Sequence, residues 1–192
     1  MAPASEEVTR DLVIDVVLDV LDAEGFDAVR VRDVANRSRV SSKTIYKLFG
    51  TRDDLIVAAI VRFMDRTVYA NFTLPDAGES MYQATVRTAR AMFEPFERHP
   101  LLLEAFHRAR TGPGRGPLSE LGRAAAYRVR DHLMSQEDDA YNRDYEEILD
   151  NVITGLIGRC VQGEISASDI VPSIERTVAR LALAHARDDT NA

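Results

Sequence analysis

Residues 38–49 read SRVSSKTIYKLF, and this stretch carries the strongest structural signal of the chain. Ser41 belongs to the residue types that cap helix N-termini. Apolar residues then follow at the i, i+3, i+4 spacing of one helix face, namely Ile45, Leu48 and Phe49. This pattern predicts a short helix after Ser41 whose apolar face points inward. Its other side carries hydroxyl, amine and phenol groups and no acid, on Ser42, Lys43, Thr44, Tyr46 and Lys47.

A second short helix is predicted immediately before this one, over residues 31–38. Val34 and Ala35 would face inward, and Ala35 is small enough for two helices to cross closely. A turn of about three residues separates the two predicted helices, which is the spacing of a helix-turn-helix. The side chains left on the outer face of the second helix are of the types that contact phosphates and base edges.

Basic residues are concentrated around these two helices. Between Ala28 and Arg52 there are seven basic residues and one acidic residue, whereas the whole chain has a net charge of −7. The only two lysines of the chain, Lys43 and Lys47, lie in this segment. A basic patch on an acidic body favours a polyanionic partner. On charge alone, chance clustering on a solvated surface is an equally good explanation.

Helical periodicity continues along the rest of the chain, and no alternating strand pattern occurs. A capping box is predicted at Thr51, with Asp54 in the position that is usually Glu. The fourth helix is predicted to run to about Phe72. The predicted helices span residues 5–24, 31–38, 42–49, 52–72, 79–98, 100–110, 118–136, 141–162 and 167–186. The expected fold class is all-α.

Other chemistry has little support in the sequence. Cys160 is the only cysteine, the four histidines lack metal-ligand spacing, and no phosphate-binding or nucleophile motif occurs. No catalytic residue, metal or cofactor is therefore expected. Neither a leader segment nor an apolar run of about 18 residues is present, so a cytoplasmic protein without membrane contact is expected. The alternative left open is a helical-bundle enzyme or binding protein with no regulatory role.

The segment GFDAVRVRDVANRSRVSSKTIYKLFGTRDDLI, residues 25–56, resembles the DNA-binding region of the TetR family of transcriptional regulators. The resemblance implies a homodimer with an N-terminal three-helix helix-turn-helix domain, residues 1–51. It also implies a C-terminal helical bundle, residues 52–192, that binds an effector and dimerises. Arg39 and Lys43 stand where the family usually has glycine. If Arg39 is left-handed, it costs on the order of 1 kcal/mol.

The resemblance implies a ligand-responsive regulator, interpreted as a repressor that binds a pseudo-palindromic double-stranded operator. Two segments of the body, residues 98–109 and 165–183, are similar to the subgroup that controls steroid and lipid catabolism in actinobacteria. This similarity implies a hydrophobic or acyl-thioester effector. Dimerisation is predicted through the helices 141–162 and 167–186, where Gly155 and Gly158 allow close approach.

Individual residues can be assigned to these sites. The predicted base-edge contacts are Ser42, Lys43, Thr44 and Lys47, and the predicted phosphate contacts are Arg32, Arg37, Arg39, Tyr46 and Arg52. The predicted lining of the effector pocket is Phe63, Met64, Met92, Phe93, Phe96, Phe106 and Met134. For each pocket residue taken singly, plain core packing is the stronger interpretation.

Overall fold

The computed structural model describes residues 3–73, 76, 78–112, 116–118, 120 and 139–191. Helices account for most of these residues, and none of them forms a strand, which confirms the all-α prediction. The main helices are α1 (Pro3–Glu24), α2 (Val31–Ser38), α3 (Ser42–Phe49), α4 (Arg52–Phe63), α5 (Met81–Arg98), α6 (Pro100–Thr111), α7 (Asp139–Val161) and α8 (Ile170–Asn191). The helix predicted over 118–136 lies almost entirely outside the described residues.

Backbone contacts divide the chain into two compact units. The first contains the described residues of Met1–Thr67 and His99–Gly122, and the second contains those of Val68–Arg98 and Arg123–Ala192. Helix α6 therefore belongs to the same unit as α1 to α4. The domain boundary predicted after residue 51 divides the chain by function rather than by compactness, and it stays a prediction.

In the first unit, helix α1 packs against three other helices, α2, α4 and α6. Val13, Val17 and Leu21 of α1 are completely buried, as is Leu55 of α4. Burial of each such side chain stabilises the fold by about 1.5–3 kcal/mol. Of the two short helices of the helix-turn-helix, α2 thus packs on α1, and α3 packs on α2 and α4.

The boundaries predicted for α2 and α3 are confirmed. Ser41 caps α3, because its side-chain oxygen accepts a 3.1 Å hydrogen bond from the Thr44 backbone N–H. The capping box at the start of α4 is also present. Thr51 Oγ1 accepts from the Asp54 N–H at 3.1 Å, and the Thr51 N–H donates to Asp54 Oδ2 at 3.2 Å. Local hydrogen bonds therefore fix the start of α3 and the start of α4.

The helical segment that begins at Arg52 ends near Phe72 as predicted, but only its first part is an α-helix. The regular helix α4 ends at Phe63, a π-helical turn covers Met64–Val68, and a short 3₁₀ turn covers Tyr69–Asn71. Met64 and Val68 are both completely buried. Their i, i+4 spacing is compatible with either kind of helix, so the apolar pattern cannot reveal the wider turn.

The second unit is built around α8, which packs against α5 and α7. Ile170, Ile174 and Val178 form the buried stripe of this helix. Helices α5 and α7 are joined through a buried hydrogen bond in which Tyr145 Oη donates to Thr85 Oγ1 at 2.8 Å. Within the described part of the chain, every helix is too short or too polar to cross a lipid bilayer.

Candidate nucleic-acid interface

The two faces of α3 differ in the way the sequence predicts. Ile45 and Phe49 are buried against the first unit. Lys43, Tyr46 and Lys47 are exposed, and 51% of the Tyr46 surface is accessible. Ser42 and Thr44 are half-buried, and the Thr44 hydroxyl lies 2.8 Å from the Ser41 hydroxyl. The outer face of α3 thus presents two amines and a phenol, with hydroxyls at its start.

The turn between α2 and α3 depends on a left-handed residue. Arg39 has φ 55° and ψ 28°, and it is the only described residue other than glycine with a positive φ. Its N–H donates to the Ala35 carbonyl, and the Val40 N–H donates to the same oxygen at 3.2 Å. These bonds satisfy the end of α2 and offset the unfavourable backbone of an arginine at this position. The Arg39 side chain is exposed.

The basic residues of this region differ in whether their side chains have partners within the protein. Among the described residues, Arg32, Arg39 and Lys43 have no side-chain partner. Lys47 Nζ lies 4.0 Å from Glu6 Oε1, and both side chains are exposed, so the pair is weak. Arg37 Nη2 is 2.7 Å from Glu24 Oε1 in another exposed pair.

Arg52 is engaged within the fold to a greater extent than the other basic residues. Its Nε donates to the Val29 carbonyl at 2.7 Å, and its Nη2 donates to the Phe26 carbonyl at 2.6 Å. Its guanidinium also lies over the Phe26 ring, 4.8 Å from the centroid, and Nη1 is 3.3 Å from Asp53 Oδ1. Arg52 therefore ties the start of α4 to the segment that precedes α2.

Several residues that position the helix-turn-helix are invisible to sequence reasoning. Arg10 of α1 donates from Nη1 to the Leu48 carbonyl at 2.9 Å and lies 4.4 Å over the Phe49 ring. Arg108 of α6 contacts Asp27 in the segment before α2. These contacts join residues at least 38 positions apart, and no local pattern marks such pairs.

The predicted effector-pocket residues are divided between the two units. Phe63, Met64 and Phe106 are buried in the first unit, and Phe93 and Phe96 are buried in the second. Met92 is half-buried, and Met134 lies outside the described residues. An open groove of about 600 Å³ does occur on α5 and α8, but its lining carries several charged side chains, such as Arg87, Arg90 and Glu175, and includes none of the predicted residues. The pocket assignment stays a prediction.

A helix-turn-helix whose second helix exposes basic and hydroxyl side chains defines the class of protein, a DNA-binding protein. Comparison with known families agrees with this class. The model described as "Bacterial regulatory proteins, tetR family" matches residues 13–59, and the model described as "Tetracyclin repressor-like, C-terminal domain" matches residues 78–181. The chain belongs to the TetR family.

Curated relatives carry names of transcriptional regulators. The chain is 32% identical over 103 residues to the HTH-type transcriptional regulator AlkX of Mycobacterium tuberculosis, an alignment that covers 53% of this chain and 49% of the relative. It is 27% identical over 184 residues to the HTH-type transcriptional repressor KstR of Rhodococcus jostii, covering 91% and 82%. With AlkX, and with KstR of Mycolicibacterium smegmatis, the chain spans about half of the relative's length.

Solved structures share the fold. A TetR transcriptional regulator from Rhodococcus sp. RHA1 superposes with a TM-score of 0.69 at 21% identity, over 90% of this chain and 97% of the other. A tetR-family regulator from Streptomyces coelicolor gives 0.67 at 20% identity, over 99% and 86%. Family and relatives alike are regulators, so they favour the regulatory interpretation over the enzyme alternative.

Proposed function

We propose that the protein is a ligand-responsive transcriptional repressor. It binds a pseudo-palindromic operator as a homodimer and is released by a hydrophobic small molecule or an acyl thioester. The observation that carries the proposal is the outer face of α3, which exposes Lys43, Tyr46 and Lys47 and contains no acid. Membership of the TetR family supports the same function.

In this proposal α3 enters the major groove. Lys43 and Lys47 read base edges, with Ser42 and Thr44 near the start of the helix. Arg32, Arg39 and Tyr46 contact phosphates, which fix the position of the protein without reading sequence. Arg37 is a predicted phosphate contact as well, whereas the Arg52 guanidinium, also predicted to contact phosphate, donates to the carbonyls of Phe26 and Val29. Arg37 first has to release Glu24, a small cost for an exposed pair.

Binding-site selection from a pool of random DNA duplexes tests the proposal. Lys47→Ala is expected to lose about 1–3 kcal/mol of affinity and to change the base preferred at one position of each half-site. Tyr46→Phe is expected to weaken binding equally for all sequences, since phosphate contacts carry no base information. Arg98→Gln, which changes an exposed arginine at the end of α5, is the control for loss of one positive charge.

Two results would count against the proposal. If the wild-type protein enriches no sequence from the pool, the protein is not a sequence-specific regulator. If both variants recover the wild-type sequence with unchanged base preference, Lys47 does not read bases.

The dimer is proposed to form through α7 and α8. Ile148 of α7 is 40% exposed and Leu183 of α8 is 62% exposed, and a dimer formed through these two helices would bury both side chains. A Cβ atom added at Gly155 or Gly158 would meet no atom within 4 Å, so the surface at both glycines is open to a second backbone. A two-fold interface requires two matched half-sites in the DNA. A monomer mass near 21.4 kDa in light scattering at micromolar concentration would contradict the dimer.

The effector is proposed to be apolar with a small polar end. The apolar side chains predicted to line its site support this class, because they offer few hydrogen bonds to a sugar or nucleotide. Phe96→Ala removes a large side chain from the predicted lining and so enlarges the site. It is expected to change the effector concentration at which the operator is released, but not the DNA affinity measured without effector. A panel of fatty acids, their coenzyme A thioesters and sterol ketones serves as the probe. An unchanged response to every active member would place the effector site elsewhere.

A further inference from the structure

The segment that leads into α2 is held by side chains from two other helices. This segment contains the short 3₁₀ turn Phe26–Ala28 and ends at Val29 and Arg30, where α2 begins. Arg30 occupies the N-cap position of α2 but makes no side-chain capping hydrogen bond. The start of α2 therefore lacks the local bond that usually fixes the entry of a helix. Its orientation depends on other contacts.

Arg52 of α4 supplies the first of these contacts. Its Nε and Nη2 donate to the carbonyl oxygens of Val29 and Phe26, on the two sides of the turn. A guanidinium is planar and presents its N–H groups in a fixed fork, so two such bonds fix the segment relative to α4. The same group stacks over the Phe26 ring. A side chain committed in this way has fewer donors to offer to DNA.

Arg108 of α6 supplies the second contact to the segment before α2. Its Nη1 and Nη2 donate to the two carboxylate oxygens of Asp27, each at 2.9 Å, and its guanidinium lies 4.0 Å over the Phe26 ring. The hydrogen bond from Arg108 lowers the pKa of Asp27, and the Asp27 carboxylate raises the pKa of Arg108. At the other end of α6, His99 Nδ1 lies 2.8 Å from Asp22 Oδ1 of α1.

We infer that Arg52 and Arg108 are positioning residues for DNA binding. By holding Phe26 and Asp27, they set the angle at which α2 and α3 leave α1, and Arg52 does this instead of contacting a phosphate. Helix α6 is thereby part of the DNA-reading unit, although it lies about 60 residues from α3 in sequence. The inference rests on the proposed function, since it concerns the DNA that α3 binds.

The solvent exposure of the Asp27–Arg108 pair distinguishes a positioning role from a role in global stability. The Asp27 side chain is 82% exposed and the Arg108 side chain is 37% exposed. Solvent screens a pair of this kind, so it contributes little to global stability. Its bidentate geometry still restricts the position of the segment before α2. Removal of the pair should therefore reduce DNA binding with little effect on unfolding.

The test compares Arg108→Gln with Arg98→Gln, a variant of equal charge change at an exposed site at the end of α5. The probe is the duplex that the wild-type protein enriches from a random pool. Arg108→Gln should weaken binding about three- to tenfold and leave the urea midpoint unchanged. The slope of log affinity against log salt should also be unchanged, because every phosphate contact is kept. Asp27→Asn should have the same effect, and the double variant should bind no worse than either single variant.

Arg52→Gln distinguishes positioning from a phosphate contact at the second arginine. Its affinity should fall, but the salt slope should stay at the wild-type value. If Arg52 instead neutralised a phosphate directly, its removal would reduce the slope by about 0.9 for each phosphate. A reduced slope would overturn the inference for Arg52. Unchanged affinity of Arg108→Gln for the enriched duplex would overturn it for Arg108.

Amide hydrogen exchange keeps this test separate from the proposed function. In Arg108→Gln, the amides of residues 30–38 should exchange faster than in the wild-type protein, while those of α4 should not change. This readout needs no DNA. If the wild-type protein enriches no duplex, the proposed function fails, and the exchange data still report whether Arg108 positions α2. If exchange over residues 30–38 is unchanged, the positioning role is wrong whatever DNA is bound.

Discussion

Replacing Arg39 by glycine should make the fold more stable and the DNA complex weaker. Arg39 has φ 55°, a left-handed conformation that costs a residue with a side chain about 1–2 kcal/mol relative to glycine. Glycine adds freedom to the unfolded chain, which removes about 0.4–1 kcal/mol of that gain. The exposed Arg39 side chain has no partner among the described residues, so its removal breaks no interaction there. With the middle of each range, the expected net stabilisation is about 0.8 kcal/mol.

The effect on DNA binding should have the opposite sign. If Arg39 neutralises a phosphate, the glycine variant no longer does so in either subunit, and the salt slope falls by about 0.9 for each phosphate. Urea unfolding at a fixed protein concentration measures the stability, and fluorescence anisotropy with a labelled operator at several salt concentrations measures the affinity.

Arg39→Ala is the matched control for this prediction. Alanine removes the same charge but keeps the cost of the left-handed backbone, so its DNA binding should match that of the glycine variant. Its stability should not exceed that of the wild-type protein. Equal stability of the alanine and glycine variants would refute the argument from backbone conformation. A wild-type salt slope in both would show that Arg39 does not contact phosphate.

Three further predictions concern stability and assembly. Thr51→Ala should destabilise the protein by about 1 kcal/mol in urea, because it removes the hydroxyl of the capping box at the start of α4; an unchanged midpoint would contradict this. Burial raises the pKa of Tyr145 from 10.0 to about 12, so its stabilising effect is complete below pH 10 and is lost as the pH rises towards 12. Between pH 10 and pH 12, the unfolding free energy of the wild-type protein should fall by about 2–3 kcal/mol relative to that of Tyr145→Phe. Parallel pH profiles of the two proteins would show that the phenol is not buried in solution. Gly158→Leu should raise the dimer dissociation constant at least about tenfold in light scattering, with no loss of protomer helicity. The reason is that the leucine side chain meets open space in one protomer but would meet the other subunit in the dimer. An unchanged dissociation constant would place the interface away from this glycine.

Local sequence signals were sufficient for the helix-turn-helix. The bounds of α2 and α3, the cap at Ser41 and the capping box at Thr51 all follow from residues within one or two helical turns, and the structure confirms them. Signals of the same kind did not distinguish the type of helix beyond Phe63. The apolar spacing of Met64 and Val68 is compatible with a regular helix and with the π-helical turn that the structure has.

The helical character of the chain, the place of α3 and the outward side chains of that helix can all be predicted from sequence. These properties depend on side-chain periodicity and on capping bonds between residues at most four positions apart, so neighbouring residues are enough to define them. The inward turn of the Arg52 guanidinium to Phe26 and Val29, and the binding of Asp27 by Arg108 of α6, emerge only in the folded molecule. An arginine at either position fits a phosphate contact as well as an internal one. The choice depends on carbonyl and carboxylate oxygens that lie 23 to 81 residues away, and folding alone brings these within hydrogen-bond distance.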